Sequence, residues 1–366
     1  MSKISINPTL IPIPTQFPSS QPSRDLPLDI SDIEDSVSSI IEEELYKLPC
    51  PAINYHVCRV CNYRCKFCFH RAAKKIRDSK SSSLYPLSDS EIYRGLEILK
   101  AASGEKLNIA GGEPSLWSIE KLVFVISSAK KIGFKCVSII SNVYSFKKED
   151  LPVLKDAGLD ILGISLHSSS DAGCEEIGYY HAKYARSPVG TRASGTISHI
   201  KEICAAAHEC GLHLKINTTL CVPNAKTFKS LAEFVVKDLQ PCRWKIFQAI
   251  PLGSNEEEGV EKAFVDEEEK ILFLTEKEYN KAVDPVVAKY PESKFGIKII
   301  KESSKIMRNS YVVLDELMRP IDSSTGAKMP QQSILDEGGI EKAMRKVVFD
   351  GESFKERSGN YFQDLK

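Results

Sequence analysis

Between about residues 52 and 250, short apolar runs rich in β-branched residues alternate with longer stretches whose apolar positions recur at helical spacing. The short runs predict buried strands, and the longer stretches predict amphipathic helices. Six β-then-α units imply an α/β fold with a parallel sheet and right-handed crossovers, closed or partly closed into a barrel. The predicted strands are 53–57, 107–110, 136–141, 161–165, 214–217 and 244–247, and the predicted helices are 88–102, 119–132, 147–156, 197–210 and 228–239.

The same pattern divides the chain into four parts. Residues 1–28 are rich in Pro and Ser and predict a disordered leader. Residues 29–50 contain a capping-box pattern followed by helical spacing, which predicts an acidic amphipathic helix. Residues 51–250 form the predicted barrel. Residues 251–366 do not continue the βα rhythm and are expected to form a C-terminal extension that covers the barrel mouth and completes a ligand site.

Composition and charge exclude several function classes. Lys plus Arg and Asp plus Glu both number 49, so the formal net charge is zero and no general nucleic-acid binding is expected. No apolar run approaches the roughly 18 residues that span a bilayer, and prolines interrupt the N-terminal stretch. We therefore expect a cytoplasmic protein without a membrane anchor. Its 11 cysteines then indicate metal ligands or buried thiols rather than disulfides.

Four cysteines follow the first predicted strand within eleven positions, at Cys58, Cys61, Cys65 and Cys68. Thiolates this close together need a metal ion to offset their mutual repulsion, and soft sulfur ligands select zinc or an iron–sulfur cluster. One interpretation is a structural zinc site that uses all four sulfurs. The spacing also allows a cluster that uses three of them.

The spacing Cys61-x3-Cys65-x2-Cys68 resembles the signature of the radical S-adenosylmethionine (SAM) superfamily. The resemblance implies a 4Fe–4S cluster on these three cysteines, with SAM bound at the remaining iron and Cys58 as a bystander. The aromatic Tyr63 and Phe67 inside the loop fit this pattern and are expected to contact the cofactor.

A second motif, Gly111-Gly112-Glu113-Pro114, follows the second predicted strand and resembles the segment with which the superfamily binds the methionine part of SAM. A plain turn explains this tetrapeptide alone about as well, but its position one strand after the cysteine motif supports the resemblance. The residues that the resemblance assigns to SAM binding are Tyr63, Phe67, Gly111, Gly112, Glu113, Ser141, Asn142 and Ser165.

Segments in order along residues 52–360 are similar to the viperin family of radical SAM nucleotide dehydratases, among them Arg243–Gln248 and the pair Ser310-Tyr311. The resemblance implies a partial (βα)6 barrel and dehydration of a ribonucleoside triphosphate to its 3′-deoxy-3′,4′-didehydro product, in antiviral nucleotide production. A triphosphate carries about four negative charges and needs several convergent cationic donors. The substrate-binding residues implied by position are Asn54, Lys106, Lys215, Asn217, Arg243, Lys245 and Arg357.

The mechanism implied by the family begins with reductive cleavage of SAM, after which a 5′-deoxyadenosyl radical removes the hydrogen at C4′ and the 3′-hydroxyl leaves as water. Tyr311 matches a family tyrosine near the ribose and is the candidate catalytic donor. His167 stands where the animal family has an acidic residue after the fourth strand, so a SAM-ribose contact is not carried over to it. The pair Asp322-Ser323 also departs from the animal pattern, near the nucleobase, so UTP is expected to be accepted beside CTP. The implied partners are an electron donor such as a flavodoxin or a reductase and the iron–sulfur assembly machinery, with the chain itself a monomer.

Two other interpretations remain open from the residues. A radical SAM enzyme acting on a purine nucleotide would resemble this chain in its barrel, but the molybdenum-cofactor cyclases of that kind carry further C-terminal cysteines. Here the last cysteine is Cys242. A zinc-stabilised, non-enzymatic scaffold predicts zinc and a colourless protein, whereas the radical SAM interpretation predicts about four irons per chain and a brown protein.

Overall fold

A parallel sheet organises the residues that the computed structural model describes, namely 46–68, 83–250, 272–323, 332–360 and 362. Its strands within these ranges are β1 (Ala52–His56), β2 (Lys106–Ala110), β3 (Cys136–Ser141), β4 (Ile161–Ser165), β5 (His213–Leu220), β6 (Arg243–Gln248), β7 (Lys298–Glu302) and β8 (Val312–Leu314). Their order is β7-β6-β5-β4-β3-β2-β1-β8, with every neighbouring pair parallel. From β1 to β7 the strands that follow one another in the chain are neighbours in the sheet, and the sheet curls into an open half-barrel.

Helices cover the outer face of the sheet, and local capping explains where several of them begin and end. Ser88 and Glu91 form a reciprocal capping box at the start of α1, and Gly133, at φ 106°, ends α2 in the left-handed region. The helices are α1 (Asp89–Ala101), α2 (Ile119–Ile132), α3 (Asp150–Asp156), α4 (Asp171–Glu176), α5 (Thr196–Glu209), α6 (Val222–Ala225), α7 (Phe228–Phe234), α8 (Glu276–Lys289), α9 (Glu292–Phe295), α10 (Ser304–Met307), α11 (Gly339–Met344) and α12 (Gly351–Glu356).

The core lies between the sheet and these helices, because parallel strands with helical crossovers are buried on both faces. Residues of α2 such as Leu122, Val125 and Ile126 are fully buried against the outer face. The inner face instead carries polar side chains in alternation, for example Lys106 and Asn108 along β2. The inside of the half-barrel is therefore built to hold a polar ligand.

The six predicted strands and the five predicted helices are confirmed to within a few residues. α3 begins later than predicted, at Asp150, and the last predicted helix is completed by a π-helical turn, Val235–Leu239. The expectation that the βα rhythm stops after β6 is wrong, since α8 leads into β7, which pairs with β6. β8 extends the opposite edge by pairing with β1.

Two predicted segments fall largely outside the described residues. These are the leader 1–28 and the acidic helix 29–50, of which only residues 46–50 are described and are not helical. Among the described helices, none has both the length and the apolar character needed to cross a bilayer.

Candidate active site

A cavity of about 420 Å³ opens inside the half-barrel, where the loops that follow β1 to β6 meet segments of the C-terminal part of the chain. Loops at the carboxyl ends of parallel strands are the usual place for a site in this class of fold. The predicted site residues that line the cavity are Asn54, Cys61, Tyr63, Cys65, Phe67, Cys68, Lys106, Gly111, Gly112, Glu113, Ser141, Asn142, Ser165, Lys215, Asn217, Lys245, Tyr311 and Arg357.

Backbone contacts with the turn after β2 hold the loop that carries the cysteines. The Gly112 N–H donates to the Cys58 carbonyl at 2.7 Å, and the Glu113 N–H donates to the Val60 carbonyl at 2.9 Å. Gly112 is required by this approach, because a Cβ there would lie against the Val60 carbonyl oxygen and within 2.6 Å of the Arg59 carbonyl carbon. The two sequence motifs therefore pack directly on each other.

Cys61, Cys65 and Cys68 share the cavity wall, and their electrostatics indicate that the thiols are close together. Burial, with further contributions from the charges of Glu113 and Cys68, raises the pKa of Cys61 to about 12. Burial likewise raises the pKa of Cys65, with further contributions from Cys68 and Cys61. As placed, no three His, Cys, Asp or Glu side chains within the described ranges form a group that could hold a metal ion. The donor set, three thiols on one loop facing a cavity, nevertheless fits an iron–sulfur cluster.

Cys58 differs from these three cysteines. It is fully buried, and its thiol donates weakly to the Val60 carbonyl at 3.5 Å and to the Glu113 carbonyl at 3.9 Å. In the described residues it is not part of the cavity lining. A site that uses all four sulfurs would require Cys58 to leave this packed position.

Glu113 braces the loops rather than projecting into open space. Its carboxylate accepts from the backbone N–H groups of Ser115 and Asn142, both at 2.8 Å, and from the Ser141 hydroxyl. The Asn142 side-chain amide in turn donates to Asn62 Oδ1 at 2.8 Å, inside the cysteine loop. Burial raises the pKa of Glu113, and these hydrogen bonds oppose that rise. The predicted cofactor residues thus form one connected wall.

Four cationic side chains line another part of the cavity, each at most 7% exposed: Lys106, Lys215, Lys245 and Arg357. Burial lowers the pKa of Lys106 to about 8 and that of Lys245 to about 7. Burial also lowers the pKa of Lys215, and the charges of Lys245 and Lys106 lower it further. Because these cations repel one another, an anionic ligand that contacts them would relieve both effects.

Glu302, at the end of β7, connects the cations to the candidate catalytic tyrosine. Its carboxylate is fully buried and accepts from Lys245 Nζ and from the Tyr311 hydroxyl. The Arg357 guanidinium stacks 3.5 Å from the centre of the Tyr311 ring, and its Nε donates to Ser310 Oγ at 3.0 Å. Tyr311 is therefore held from its hydroxyl and from one ring face.

Arg243 differs in its position from the other predicted cationic residues. It is buried, but it does not appear in the cavity lining formed by the described residues. Its guanidinium donates to the backbone carbonyls of Arg357 at 3.3 Å and Ser358 at 3.2 Å. Arg243 is the first residue of β6, where the C-terminal segment covers the strand. These contacts make Arg243 a support for the Arg357 segment, and its predicted contact with the substrate stays a prediction.

Two further polar side chains line the cavity, Asn217 and His167. Asn217 Oδ1 is a buried acceptor without a hydrogen-bond partner among the described residues, and a buried acceptor of this kind calls for a donor from a ligand or water. His167 accepts from the Thr219 N–H at 2.9 Å, and its ring meets Phe67 at a centroid distance of 4.7 Å. Burial lowers the pKa of His167 to about 3, so its ring is neutral.

Sequence reasoning missed Glu302, because the strand that carries it was not predicted. The signal available was an acidic residue at the end of the short run KIIKE. Charged residues in such a run are common on exposed edge strands, so nothing marked this one as part of a site. Its importance comes from its pairing with Lys245 across the β6–β7 interface.

Comparisons with known proteins agree with this geometry. The model of the radical SAM superfamily matches residues 55–235. The S-adenosylmethionine-dependent nucleotide dehydratase RSAD2 of Siniperca chuatsi is 32% identical over 316 residues, which is 85% of this chain and 78% of that protein. The S-adenosylmethionine-dependent nucleotide dehydratase of Flammeovirga pacifica is 30% identical over 85% of this chain and 95% of its own length.

Solved structures support the fold alone. Streptococcus suis SuiB bound to S-adenosylmethionine superposes with a TM-score of 0.58 at 13% identity, covering 89% of this chain and 71% of that one. The enzyme described as anSMEcpe with bound AdoMet gives a TM-score of 0.56 at 14% identity, over 83% of this chain and 84% of that one. At such identities only the backbone architecture is shared.

Proposed function

Because the chain belongs to the S-adenosylmethionine-dependent nucleotide dehydratases of the radical SAM superfamily, we propose that its substrate is a pyrimidine ribonucleoside triphosphate, UTP or CTP. The proposed product is the 3′-deoxy-3′,4′-didehydro nucleoside triphosphate. The observation that carries the substrate class is the group of buried cations inside the half-barrel: Lys106, Lys215, Lys245 and Arg357.

Burying cations near one another is unfavourable unless a partner offsets their desolvation and repulsion. A triphosphate supplies about four negative charges and many acceptor oxygens, so it matches this group in charge and hydrogen-bonding capacity. Lys106 begins β2, four residues before Ala110, and at about 3.3 Å per residue it lies about 13 Å from the strand end that leads into Gly111. The substrate would therefore enter with its phosphates deep in the half-barrel and its ribose nearer the mouth.

The enzyme uses a 4Fe–4S cluster and S-adenosylmethionine, and we propose Cys61, Cys65 and Cys68 as the cluster ligands. When bound, these groups supply the one-electron chemistry that removes a hydrogen atom from a ribose carbon. We assign SAM to the wall formed by the Gly111–Gly112 turn, Ser141, Asn142 and Ser165, with Tyr63 and Phe67 beside it. Glu113 then acts by joining the loops that form this wall, because its oxygens already accept from Ser115, Ser141 and Asn142.

Tyr311 is the candidate for late proton or hydrogen donation to the nucleotide. Its hydroxyl lines the same cavity as the cations and donates to Glu302, while Arg357 covers one face of its ring. A phenol held in this way presents one edge to the cavity in a fixed orientation. Asn54 and Asn217 on neighbouring parts of the lining are proposed to contact the ribose or the base.

Base selection is proposed to involve Asn217 and the pair Asp322-Ser323, all of which line the cavity. Cytosine and uracil differ at one edge, and a site rejects the wrong base strongly only by leaving buried polar groups unpaired. Asp322 can accept from cytosine N4–H or from uracil N3–H. Since this pair differs from the animal family pattern, we expect UTP to be accepted beside CTP.

The test is to incubate the cluster-reconstituted enzyme with SAM, dithionite and each of the four ribonucleoside triphosphates, and to identify products by mass. We expect loss of one water from UTP or CTP and none from the purine nucleotides. Competition between equimolar CTP and UTP then measures base preference. A hundredfold preference for CTP would remove UTP as a substrate, and dehydration of GTP or ATP alone would overturn the pyrimidine assignment.

We further propose a flavodoxin or a reductase as the electron source, the iron–sulfur assembly machinery as a maturation partner, and a cytoplasmic monomer as the working form. Iron and sulfide analysis of the anaerobically prepared protein separates the cluster from a zinc scaffold. The expected content is about four irons per chain. Stoichiometric zinc without sulfide would support the scaffold instead, although the packed position of Cys58 disfavours a four-cysteine site.

A further inference from the structure

The segment that follows α4 packs against the outer side of the cysteine loop. The Lys66 N–H donates to the Ile177 carbonyl at 3.0 Å, and the Ala182 N–H donates to the Asn62 carbonyl at 2.7 Å. Tyr63 and His181 form an isolated antiparallel bridge between the two segments. The solvent-exposed residues of this segment therefore lie close in space to the loop that carries the proposed cluster ligands.

A series of ring contacts connects this exposed segment with the cysteine loop. Tyr184, which is 38% exposed, meets His181 at a centroid distance of 6.1 Å, and His181 meets Tyr144 at 4.5 Å. Tyr144 then meets Tyr63, within the cysteine loop, at 5.9 Å. Next to these rings lies a small depression of about 170 Å³ that they line together with Arg192. These packed rings thus connect the protein surface at Tyr184 with the cysteine loop at Tyr63.

The exposed charges here are mainly positive. Arg64, Lys66, Lys183 and Arg186 are exposed, and the charge of Arg64 reaches His181. Of the acidic residues in the α4 region, Asp171 accepts from the Gly195 and Ile197 N–H groups, and Glu175 from the Gly190 and Arg192 N–H groups. Glu176 remains exposed. The surface therefore carries more accessible positive than negative charge.

Lys183 places one of these positive charges beside the aromatic rings of Tyr144 and Tyr184. Its Nζ lies 4.8 Å from the centre of the Tyr184 ring and 5.4 Å from that of Tyr144. Hydrogen bonds with Tyr144 and Tyr184 raise the pKa of Lys183, so it stays cationic at neutral pH. A cation beside exposed rings suits a partner that brings both acidic groups and a flat aromatic group.

We propose that this face, which we name the Tyr184 surface, docks a protein electron donor whose exposed redox group is surrounded by acidic residues. The residues of the Tyr184 surface are Arg64, Lys66, Lys183, Tyr184, Arg186 and Val189, of which Val189 is 80% exposed. The step it serves is a one-electron transfer, in which the reduced group of the donor loses one electron and the cluster held by the cysteine loop gains it. No bond forms or breaks and no proton needs to move. The inference rests on the proposed cluster ligands and electron donor, but not on the nucleotide assignment.

The test follows reduction of the cluster itself in the cluster-containing enzyme, without any nucleotide present. Photoreduced bacterial flavodoxin with an acidic face is mixed with the enzyme, and loss of cluster absorbance is recorded by stopped flow. We expect the double variant Lys183→Glu/Arg186→Glu to be reduced about tenfold more slowly at low salt, with a weaker dependence of the rate on ionic strength. Reduction by dithionite, a small reductant that needs no docking surface, should keep its wild-type rate.

The matched control is Lys229→Glu, which reverses an exposed charge on α7. It should leave the rate of cluster reduction by flavodoxin unchanged.

Tyr184→Ala tests the rings without changing charge and should also slow reduction by flavodoxin but not by dithionite. Calorimetric titration of oxidised flavodoxin into the same holoenzymes should give a weaker affinity for the double variant than for the control. Equal rates and affinities in the double variant and the Lys229→Glu control would overturn the proposal. Binding of anionic vesicles or RNA at this surface, with unchanged flavodoxin reduction, would overturn it as well.

Because no substrate is used, failure of this experiment leaves the nucleotide assignment untouched. Conversely, an enzyme that dehydrates none of the four triphosphates still reports on the docking surface through cluster absorbance. Both charge reversals lie at exposed positions with no part in the core, so wild-type thermal stability is expected for the double variant.

Discussion

Cys58 and Cys61 are three positions apart in sequence, yet their surroundings differ. The Cys58 thiol is enclosed between the Val60 and Glu113 carbonyls, whereas the Cys61 side chain faces the cavity with Cys65 and Cys68. At the scale of single residues, orientation rather than spacing therefore separates a ligand from a packing residue.

The first prediction follows from this difference. Alanine at Cys61, Cys65 or Cys68 should each abolish cluster binding and SAM cleavage, because three thiolates are needed to hold the cluster. Cys58→Ala should keep iron, sulfide and visible absorbance close to wild type. Iron and sulfide analysis of the four purified variants, together with their absorbance spectra, makes the comparison. An iron loss in Cys58→Ala equal to that in Cys61→Ala would show that the ligand register is wrong.

A second prediction concerns the phosphate contacts. Replacing Lys215, Lys245 or Arg357 by a neutral side chain should weaken triphosphate binding by about 1.5–3 kcal/mol each, the range for a charge-assisted hydrogen bond. The loss should be larger for the triphosphate than for the monophosphate. Equilibrium dialysis or calorimetry with both nucleotides measures the difference. Losses of equal size would mean that these side chains do not contact the distal phosphates.

At the scale of elements, the turn after β2 determines where the cysteine loop lies. Gly112→Ala would press a methyl group against backbone atoms of Arg59 and Val60, which have little room to move. We expect a stability loss of about 1–3 kcal/mol, as for other overpacked positions, together with lower cluster occupancy. Chemical denaturation and iron analysis measure the two effects.

The matched control for that variant is Gly351→Ala at the start of α12, where a Cβ would meet nothing within 4 Å. It should be neutral or slightly stabilising, since alanine restricts the unfolded chain. If both variants retained full stability and full iron, the close approach of the two motifs would have no structural consequence.

Prediction from sequence was accurate for elements whose signal is local. β1 to β6 are runs of apolar and β-branched residues, and Ser88 and Ser118 are capping residues readable from neighbouring positions. β7 and β8 were missed for a physical reason. KIIKE carries charges at both ends, and VVL is only three residues long, so their strand conformation depends on pairing with distant β6 and β1.

The same distinction applies to the site. The cysteine and glycine motifs are contiguous, so their neighbourhood could be predicted from sequence. Glu302 and the covered position of Arg243 depend on contacts between segments far apart in the chain, 57 residues for Glu302 with Lys245 and 114 for Arg243 with Arg357. Position-by-position similarity placed Arg243 among the phosphate contacts, but only the folded chain shows that the Arg357 segment covers it.

At the scale of the whole molecule, a zero net charge conceals a strong internal segregation of charge. Lys106 and Lys245, with pKa values of about 8 and about 7, are partly deprotonated in the free protein near neutral and mildly alkaline pH. Phosphate binding favours their charged forms and raises both pKa values. Nucleotide binding must therefore take up protons over this range.

The resulting prediction has a definite sign. Below about pH 6 both amines are already protonated, and affinity should be constant with respect to them. Above the pKa of each free amine, binding must supply its proton, so affinity should fall by up to about tenfold per pH unit for each one. Calorimetry in buffers of different ionisation enthalpy, from pH 6.5 to 9, measures both affinity and proton uptake. In Glu302→Gln, Lys245 loses its carboxylate partner, so the decline should begin at lower pH. A profile identical to wild type would mean that Glu302 does not maintain the charge of Lys245.

The pairing of β1 with β8 has a consequence for how the protein is made. The strand that leads into the cysteine loop has β2 on one side, but its other edge is covered only by residues that follow 258 positions later, as in the contact from Asn54 to Val312. At about 5–20 residues per second, a ribosome needs roughly 10 to 50 s to synthesise that interval. During this time the nascent chain exposes an open strand edge beside four reduced thiols. We therefore expect this edge to need protection during that interval, and the cluster to be inserted only after the C-terminal part has left the ribosome and covered β1.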